Sequence, residues 1–419
     1  MKELKAYLSA SPNQYHGDVT ENFEDLAKQF SRLQHPRMHQ GGATLCVYFQ
    51  GQKVVDIYIG KKSATEQWEK DTLSVCYSTG KGVLATLAHI LVSRGLLDYD
   101  QPIAKYWPEF AQNGKSNIRL ADILSHQSGL FDIRNLVQDA AQMADWELML
   151  NRIAEAKPRF AVGDDAAYQP LTFGWLVGGV LEKATGQSLS HLMQQYLLQP
   201  LQIQDAYFGV PTSELDRVAR PFLTVNSKSS SSDSSKRKNT AKKTTLMDRV
   251  TAWSGQNPQD FQDAMIPKGM KNFSFFSEQG LQAVIPAANG VFSAESLAKI
   301  YAMLAQGGIW QQQQLIKPEV FQRMSQIQYQ HRDRIMPIPM HWRLGYHRVL
   351  TLGKHVPQGF GHLGFNGSGA WCDPERQLSF AYTHNFATAS ITGDYRLWGL
   401  TQETLRCADK ILTGHKGWF

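Results

Sequence analysis

Apolar residues near the start of the chain recur first at helical spacing and then in strand-like runs. Residues 22–34 carry apolar side chains every three or four positions, from Phe23 to Leu33, which predicts a helix with one apolar stripe. Residues 43–60 contain two β-rich runs separated by a glycine-containing turn, a pattern typical of a hairpin. We therefore expect the order helix, strand, strand.

A longer helical pattern follows at residues 75–96, "VCYSTGKGVLATLAHILVSRGL". After Lys81 this segment is apolar at nearly every turn, which predicts a deeply buried helix, and Gly95 is placed to end it. Residues 100–285 continue with helical patterns and loops, and strand signals are scarce there.

Strand patterns return near the C-terminus, at residues 341–350 and 369–386. They lie between a helical pattern within residues 290–308, with apolar positions from Leu297 to Leu304, and a closing helix over 394–412. Helices and strands that are segregated along a chain favour an antiparallel or mixed sheet over a doubly wound one. The pattern predicts an α/β fold with a central antiparallel sheet that is built from both chain ends and flanked by helices.

The same pattern predicts two units within the 419 residues. Residues 1–99 and 286–419 would form the sheet domain, and residues 100–285 a mostly helical subdomain inserted into it.

A Ser/Lys-rich insert at residues 227–245 interrupts the helical subdomain, and it has almost no apolar residues with which to offset its ordering entropy. Six lysines and arginines against Asp233 give the insert most of the net charge of +6. We expect a disordered surface loop. Binding to nucleic acid is not expected, because the insert lacks aromatic residues for stacking on bases, and docking on an acidic partner is left as the alternative.

Composition narrows the class of protein further. The hydrophobic share of 42% supplies a sizeable core, and no signal peptide or run of about 20 apolar residues is present. We expect a cytoplasmic protein without stable membrane insertion. The four cysteines are far apart and form no CxxC, which predicts buried core thiols. The oligomeric state is left open.

The spacing of their characteristic residues excludes several common types of functional site. The stretch "NGKS" at 113–116 lacks the first glycine of a phosphate loop, since Glu109 stands there. No HExxH, no zinc-type cluster of cysteine and histidine, and no GxSxG occurs.

Ser78 and Lys81 form the candidate catalytic pair. Their spacing places both side chains on one helix face, where a lysine amine can take the hydroxyl proton. The alternative is that Ser78 only caps the helix and Lys81 reaches solvent. The same spacing recurs at Ser235/Lys238, inside the insert, and at Ser296/Lys299, where we expect a solvated helix face.

Two further stretches favour the catalytic interpretation of Ser78 and Lys81 over the structural one. "DDAAYQPLTFGW" places Tyr168 before a helix, and "GFGHLGFNGSGAW" places His362, Leu363 and Gly364 before a strand. With "LADILSHQSGL" at 120–130, the set resembles the serine β-lactamase and penicillin-binding-protein superfamily, and most of all its class C β-lactamase-related esterases, the family VIII type carboxylesterases.

The resemblance implies a role for each matching residue. Ser78 matches the acylated nucleophile, Lys81 its base and Tyr168 the proton-relaying tyrosine of the second motif. His362 to Gly364 matches the third motif, and the N–H groups of Ser78 and Phe365 match the oxyanion hole. No metal or organic cofactor is implied.

Two departures from the superfamily pattern favour an ester substrate. Pro170 stands where lactam-cleaving and peptidoglycan-cleaving relatives have an asparagine, and His362 replaces the usual lysine that helps to recognise a carboxylate. We therefore expect a serine hydrolase acting on a small-molecule ester. The alternatives are a β-lactamase or D-amino-acid peptidase, and a catalytically silent binding homologue.

Three weaker candidates complete the predicted site. Asp132 follows the "SHQSGL" turn and would border the pocket, although an exposed loop carboxylate is the simpler interpretation. Trp342 and Trp371 flank the proposed edge strand and would line an acyl pocket if they are not core residues.

Overall fold

The two β-rich runs near the N-terminus form the predicted hairpin in the computed structural model, which describes residues 15–34, 41–222, 256–388, 390 and 392–414. Strand β2 (Gly42–Phe49) pairs with β3 (Gln52–Gly60). Between them Gln50 and Gly51 both have positive φ, as the tightest hairpin turns require.

This hairpin lies beside the central strand, β12 (Leu378–His384), of a seven-stranded sheet that also contains β1 (His16–Val19), β9 (His347–Arg348), β10 (Phe360–Leu363) and β11 (Gly369–Asp373). The order of the strands is β1-β3-β2-β12-β11-β10-β9. Strand β2 pairs with β12 from the other end of the chain, in antiparallel register from Ala43 opposite His384 to Phe49 opposite Leu378. All neighbouring strands are antiparallel. The predicted class, a helix-flanked antiparallel sheet built from both chain ends, is confirmed.

The remaining elements are as follows. The other strands are β4 (Ser74–Val75), β5 (Ala206–Tyr207), β6 (Val291–Phe292), β7 (Ile309–Trp310) and β8 (Gln313–Gln314). The helices are α1 (Glu24–Leu33), α2 (Thr79–Ser93), α3 (Leu120–Leu124), α4 (Ile133–Leu136), α5 (Trp146–Glu155), α6 (Thr172–Thr185), α7 (Leu189–Met193), α8 (Gln199–Leu201), α9 (Pro258–Met265), α10 (Glu278–Gln282), α11 (Ala294–Ala305), α12 (Pro318–Ser325) and α13 (Tyr395–Leu412). A π-helical turn, Gln194–Leu198, joins α7 to α8, and 3₁₀ turns occupy Glu21–Phe23, Ile103–Lys105, Pro108–Ala111, Ala140–Ala144, Thr212–Arg217 and Met270–Asn272.

The sheet separates two hydrophobic cores because its side chains alternate between its faces. On β12, Leu378, Phe380 and Tyr382 join the core beneath α1 and α13, whereas Ala381 joins the larger core that contains α2 and α11. The helix that carries the candidate serine is therefore on the inner face of the sheet, where 14 of its 15 residues are buried.

Two local predictions are wrong. Among the described residues a strand, β1, precedes the predicted helix; it is a short, mostly exposed edge strand whose HGDV sequence lacks an apolar pattern. Over residues 341–350 only β9 forms, because His341 and Gly345 have positive φ and interrupt the extended backbone.

Other expectations concern burial and membrane insertion. The four cysteines are free and buried, as predicted. Within the described ranges, no helix is both long and apolar enough to cross a membrane. The insert at 227–245, with Ser235 and Lys238, lies outside the described residues.

Trp371 shows which face of the sheet is structural. It lies on β11 in the core beneath α1 and α13, stacks on Phe380 with ring centroids 5.2 Å apart, and its Nε1 donates to Thr401 Oγ1. It is a core residue on the face opposite α2.

We expect Trp371→Ala to lower the free energy of unfolding by about 3–5 kcal/mol, because a large buried ring leaves a cavity. Urea unfolding measures the loss. Trp398→Ala, at a half-buried tryptophan next to the same core, serves as the control and should lose clearly less stability. Equal losses in the two variants would contradict the assignment.

Candidate active site

Ser78 is presented by a tight turn between β4 and α2. β4 is fixed by pairing with β6, Tyr77 has φ +47°, and Ser78 follows as the N-cap residue of α2. Its side chain makes no capping hydrogen bond, so the hydroxyl is free to point away from the helix. The strained turn directs the serine side chain towards its neighbours rather than back to its own helix.

Lys81 lies one turn further along α2 and is completely buried. Its Nζ lies 2.8 Å from Ser78 Oγ, 2.7 Å from the carbonyl oxygen of Pro170 and 2.9 Å from that of Ala287. The alternative suggested by the sequence is therefore wrong on both counts: Ser78 is not a side-chain cap, and Lys81 does not reach solvent.

The charge state of Lys81 follows from these neighbours. In the part of the chain that the structure describes, no carboxylate lies within ion-pair distance of its Nζ. Burial holds the pKa of Lys81 well below its ordinary value. A buried amine whose charge no carboxylate balances is suited to accept a proton near neutral pH.

The other described serine and lysine with this spacing do not form such a pair. Lys299 Nζ donates to the Gln202 carbonyl, and Ser296 Oγ is hydrogen-bonded to Ser293 Oγ at the start of α11. Ser296 is buried, so the predicted solvated face is wrong for that residue. The Ser78 pair differs in that its lysine contacts its serine directly and is buried against two carbonyl groups.

A loop that the sequence did not single out supplies one of those carbonyls. Ala287 lies in the segment 283–290, which buried Asn289 fixes by accepting from Ile285 N and donating to the carbonyl groups of Gly280 and Ala283. Asn289 thereby places the Ala287 oxygen against both Lys81 and Ser78.

Tyr168 joins this pair from the loop before α6. Its ring lies 4.9 Å from Lys81 Nζ, and its side chain is hydrogen-bonded with Ser78. Burial raises the pKa of Tyr168 above its ordinary value, and the bond to Ser78 offsets only part of the shift. At neutral pH the residue is a phenol.

A stacked indole fixes the orientation of Tyr168. The Trp342 ring lies parallel to the tyrosine ring within 9°, with centroids 5.4 Å apart. Its Nε1 donates to Asp333 Oδ2 at 2.7 Å, and Asp333 Oδ1 accepts from the N–H groups of Ile335 and Met336. Asp333 therefore positions the indole, and burial raises its pKa from 3.8 to about 6.

The histidines around Tyr168 are uncharged. Burial lowers the pKa of His126 to about 3 and of His347 to about 4, and it holds the pKa of His362 well below its ordinary value. His362 Nδ1 donates to the Leu363 carbonyl, and His347 Nε2 accepts from Leu363 N. His362 thus brings no positive charge to the third motif.

Gly364 and Phe365 approach the serine turn closely. A Cβ on Gly364 would lie 2.4 Å from the Cys76 carbonyl oxygen, so only glycine allows the end of β10 to reach this turn. Among the residues described, the N–H groups of Ser78 and Phe365 have no hydrogen-bond acceptor within the chain. Both residues border the same cavity, where two free donors suit an oxyanion.

The candidate residues meet at a cavity of about 30 Å³ that is partly open to solvent, which we call the site cavity. Its lining consists of Ser78, Tyr168, Pro170, Met265, Met336, Met340, Trp342, His347, His362, Leu363 and Phe365. Sequence reasoning missed His347 and the three methionines, which carry no motif. Within the described chain, no group of three or more His, Cys, Asp or Glu side chains is placed to hold a metal ion.

Two of the weaker candidates are not in the site cavity. Trp371 lies on the opposite face of the sheet. Asp132 caps α4 and pairs with Arg159 at 2.6 Å, and Arg159 also contacts Asp263 of α9 at 3.0 Å. The carboxylate is occupied by structural contacts, so its position gives no support for contact with substrate. Of the three, Trp342 alone lines the cavity.

Comparison with known proteins agrees with this arrangement. The model of the β-lactamase family matches residues 26–401. The chain belongs to the β-lactamase family. It therefore lies in the serine β-lactamase and penicillin-binding-protein superfamily, as the motifs predict.

Individual relatives of this β-lactamase-family chain include esterases. The chain is 33% identical over 378 residues to the esterase/beta-lactamase LipL of Mycobacterium tuberculosis (strain ATCC 25618 / H37Rv), a match that covers 88% of this chain and 82% of LipL. A family VIII carboxylesterase structure is similar with a TM-score of 0.80 and 28% identity, over 94% of this chain and all of that one. A penicillin-binding-protein homologue from Caulobacter crescentus has a TM-score of 0.79, also at 28% identity, with the same coverage of both chains. These likenesses support a hydrolase.

The buried carboxylate of Asp333 gives this family member a pH-dependent stability. The folded protein binds a proton with a pKa of about 6, above the ordinary 3.8, so the unfolded chain releases its proton first as pH rises. The free energy of unfolding therefore falls by on the order of 3 kcal/mol as the pH rises from about 4 to about 6.

We expect Asp333→Asn to remove this loss, because the amide does not titrate. The amide nitrogen cannot accept from Trp342 Nε1, which adds a pH-independent cost. Urea unfolding of both proteins at pH 4 and pH 7 tests the point: the stability of the variant relative to wild type should rise with pH. A difference that is constant or falls would contradict it.

Proposed function

We propose that the chain is a serine carboxylesterase that forms an acyl-enzyme on Ser78. The observation that carries the proposal is the placement of Lys81 Nζ 2.8 Å from Ser78 Oγ in a buried position without a carboxylate partner. An unprotonated amine there donates its two N–H groups to the carbonyls of Pro170 and Ala287 and keeps its lone pair for the serine proton.

Acylation follows from this arrangement. Ser78 Oγ attacks the ester carbonyl while its proton passes to Lys81. The oxyanion is bound by the N–H groups of Ser78 and Phe365, and each such donor is worth roughly a hundredfold in rate. Tyr168, as a phenol in contact with Ser78, gives its proton to the departing alkoxide and regains one from Lys81.

Deacylation uses the same groups in reverse. Water attacks the acyl carbonyl and passes a proton to the Lys81 amine as the second oxyanion forms. Collapse of that intermediate releases the carboxylic acid, and the proton returns to Ser78 Oγ. No group outside the described site is needed to balance the protons.

An ester fits the lining of the site cavity better than a lactam does. The lining contains no charged side chain, because burial keeps His347 and His362 neutral, and Pro170 contributes only its backbone carbonyl to Lys81. Penicillins and peptidoglycan stems present a carboxylate near the scissile bond, and nothing in this lining pairs with one. An ester requires no such contact, and an alkoxide leaves more readily than an amine.

We expect Ser78→Ala to lower kcat for p-nitrophenyl butyrate roughly a thousandfold or more, since loss of a nucleophile removes the acyl-enzyme route. Labelling by a fluorophosphonate probe should disappear at the same time.

The matched control is Ser296→Ala, the other described serine that precedes a lysine by three positions. It should keep both labelling and turnover. Near-wild-type hydrolysis by the Ser78 variant, with its circular dichroism unchanged, would end the proposal, and a wild-type protein that resists the probe would point to a silent binding homologue.

Lactam hydrolysis is the second candidate, favoured by the double designation of the relative LipL as esterase and β-lactamase. We expect kcat/KM for p-nitrophenyl butyrate to exceed that for nitrocefin by about tenfold or more, because the cavity offers no partner for the cephalosporin carboxylate. The two substrates are compared on the same preparation, with Ser78→Ala as the blank for each. A higher value for nitrocefin would assign the site to lactams.

A further inference from the structure

Three methionines form one side of the site cavity, and we call Met265, Met336 and Met340 the methionine wall. They belong to a separate apolar cluster around Tyr168 and Trp342. Neither the proposed acylation chemistry nor the sheet requires thioether side chains at these positions. Methionine is unbranched and has three rotatable side-chain bonds, so it adapts its shape to what it contacts.

The backbone beneath this wall is rigid. Met336 and Met340 stand in the stretch "MPIPM", in which Pro337 and Pro339 fix two φ angles. The stretch is bound at both ends, since Met336 N donates to Asp333 and the Met340 carbonyl accepts from Arg348 N at 2.9 Å. Any change in the shape of the wall therefore comes from side-chain rotation rather than from movement of the loop.

The third methionine is fixed in the same way. Met265 ends α9, and α9 is attached to the neighbouring loops by ion pairs of Arg159 with Asp263 at 3.0 Å and of Arg334 with Asp260 at 3.6 Å. The Met265 side chain itself is half-buried. Three flexible side chains thus project from three fixed backbone positions.

The small size of the site cavity makes the flexibility of the methionine side chains relevant to substrate binding. About 30 Å³ is far less than the roughly 150 Å³ of an apolar cavity that holds benzene, so a bulky acyl or alkyl group requires the lining side chains to move. The methionine side chains are the adaptable part of the lining, whereas Tyr168 and Trp342 are stacked and hydrogen-bonded.

We propose that the methionine wall binds the unbranched hydrocarbon chain of the ester substrate, and that rotation of Met336 and Met340 sets the chain length accepted. The inference rests on the proposed esterase function and adds a substrate class to it: uncharged esters that carry a linear alkyl chain. That chain belongs to the acid or to the alcohol of the ester, and the test separates the two.

The experiment measures kcat/KM along two series of substrates. The acyl series is p-nitrophenyl acetate, butyrate and octanoate, and the alcohol series is ethyl, butyl and octyl acetate. We expect Met336→Ala and Met340→Ala to raise the ratio of long-chain to short-chain kcat/KM by about tenfold in one series, since one methylene in an apolar pocket changes kcat/KM by at least that factor. The series that responds identifies the half of the ester that lies on the wall.

Volume-conserving variants keep the test valid if truncation destabilises the fold. Met336→Leu and Met340→Leu retain the side-chain volume but remove one rotatable bond and the soft thioether, and such exchanges usually cost little stability. They should lower the long-chain ratio in the same series. The matched control is Met324→Ala, at a fully buried methionine in the other core, which should leave both ratios unchanged.

Failure of this inference is distinguishable from failure of the proposed function. If the wall variants hydrolyse the acetate but keep wild-type ratios in both series, the methionine wall does not bind the chain, while loss of activity in Ser78→Ala still supports the esterase. If Ser78→Ala remains active, the proposed function itself is wrong and the inference falls with it.

Discussion

The burial of an amine without a balancing carboxylate is the constraint around which the site is organised. Lys81 is wholly enclosed and contacts a hydroxyl and two backbone carbonyl groups. A charged ammonium there would require several kilocalories per mole of desolvation that neutral acceptors repay only in part. The surroundings must therefore supply polar contacts while they keep the amine uncharged. The loop before α6 and the loop shaped by Asn289 each contribute one carbonyl oxygen to that end.

The sheet and the helices bring segments that are distant in sequence together at this site. The two-faced sheet places a structural core under α1 and α13 and leaves its inner face for α2. Strand β10 then ends against the serine turn, where the lack of a side chain at Gly364 allows backbone to approach backbone. The order of strands, with both chain ends paired at the centre of the sheet, fixes the distance between these segments.

The sequence patterns correctly predicted the features that depend on the periodicity of apolar residues or on the spacing of polar ones. The hairpin, the buried helix and the pairing of Ser78 with Lys81 follow from local signals. The strand β1 was missed because an exposed edge strand needs no apolar pattern, and residues 341–350 were overpredicted because the positive φ of His341 could not be foreseen. The positions of Asp132, Trp371 and Met336 depend on which elements pack together, and no local signal carries that information.

The carbonyl contacts of Lys81 have a consequence for how such a site can diverge. Because Pro170 and Ala287 contact the Lys81 amine through their main-chain carbonyl groups, these two hydrogen bonds do not depend on which side chain stands at either position. Pro170 also lines the site cavity, so an exchange at this position would alter the cavity lining while the main-chain carbonyl contact to Lys81 is kept. Under the proposed mechanism, the same main-chain contacts are therefore compatible with more than one substrate class.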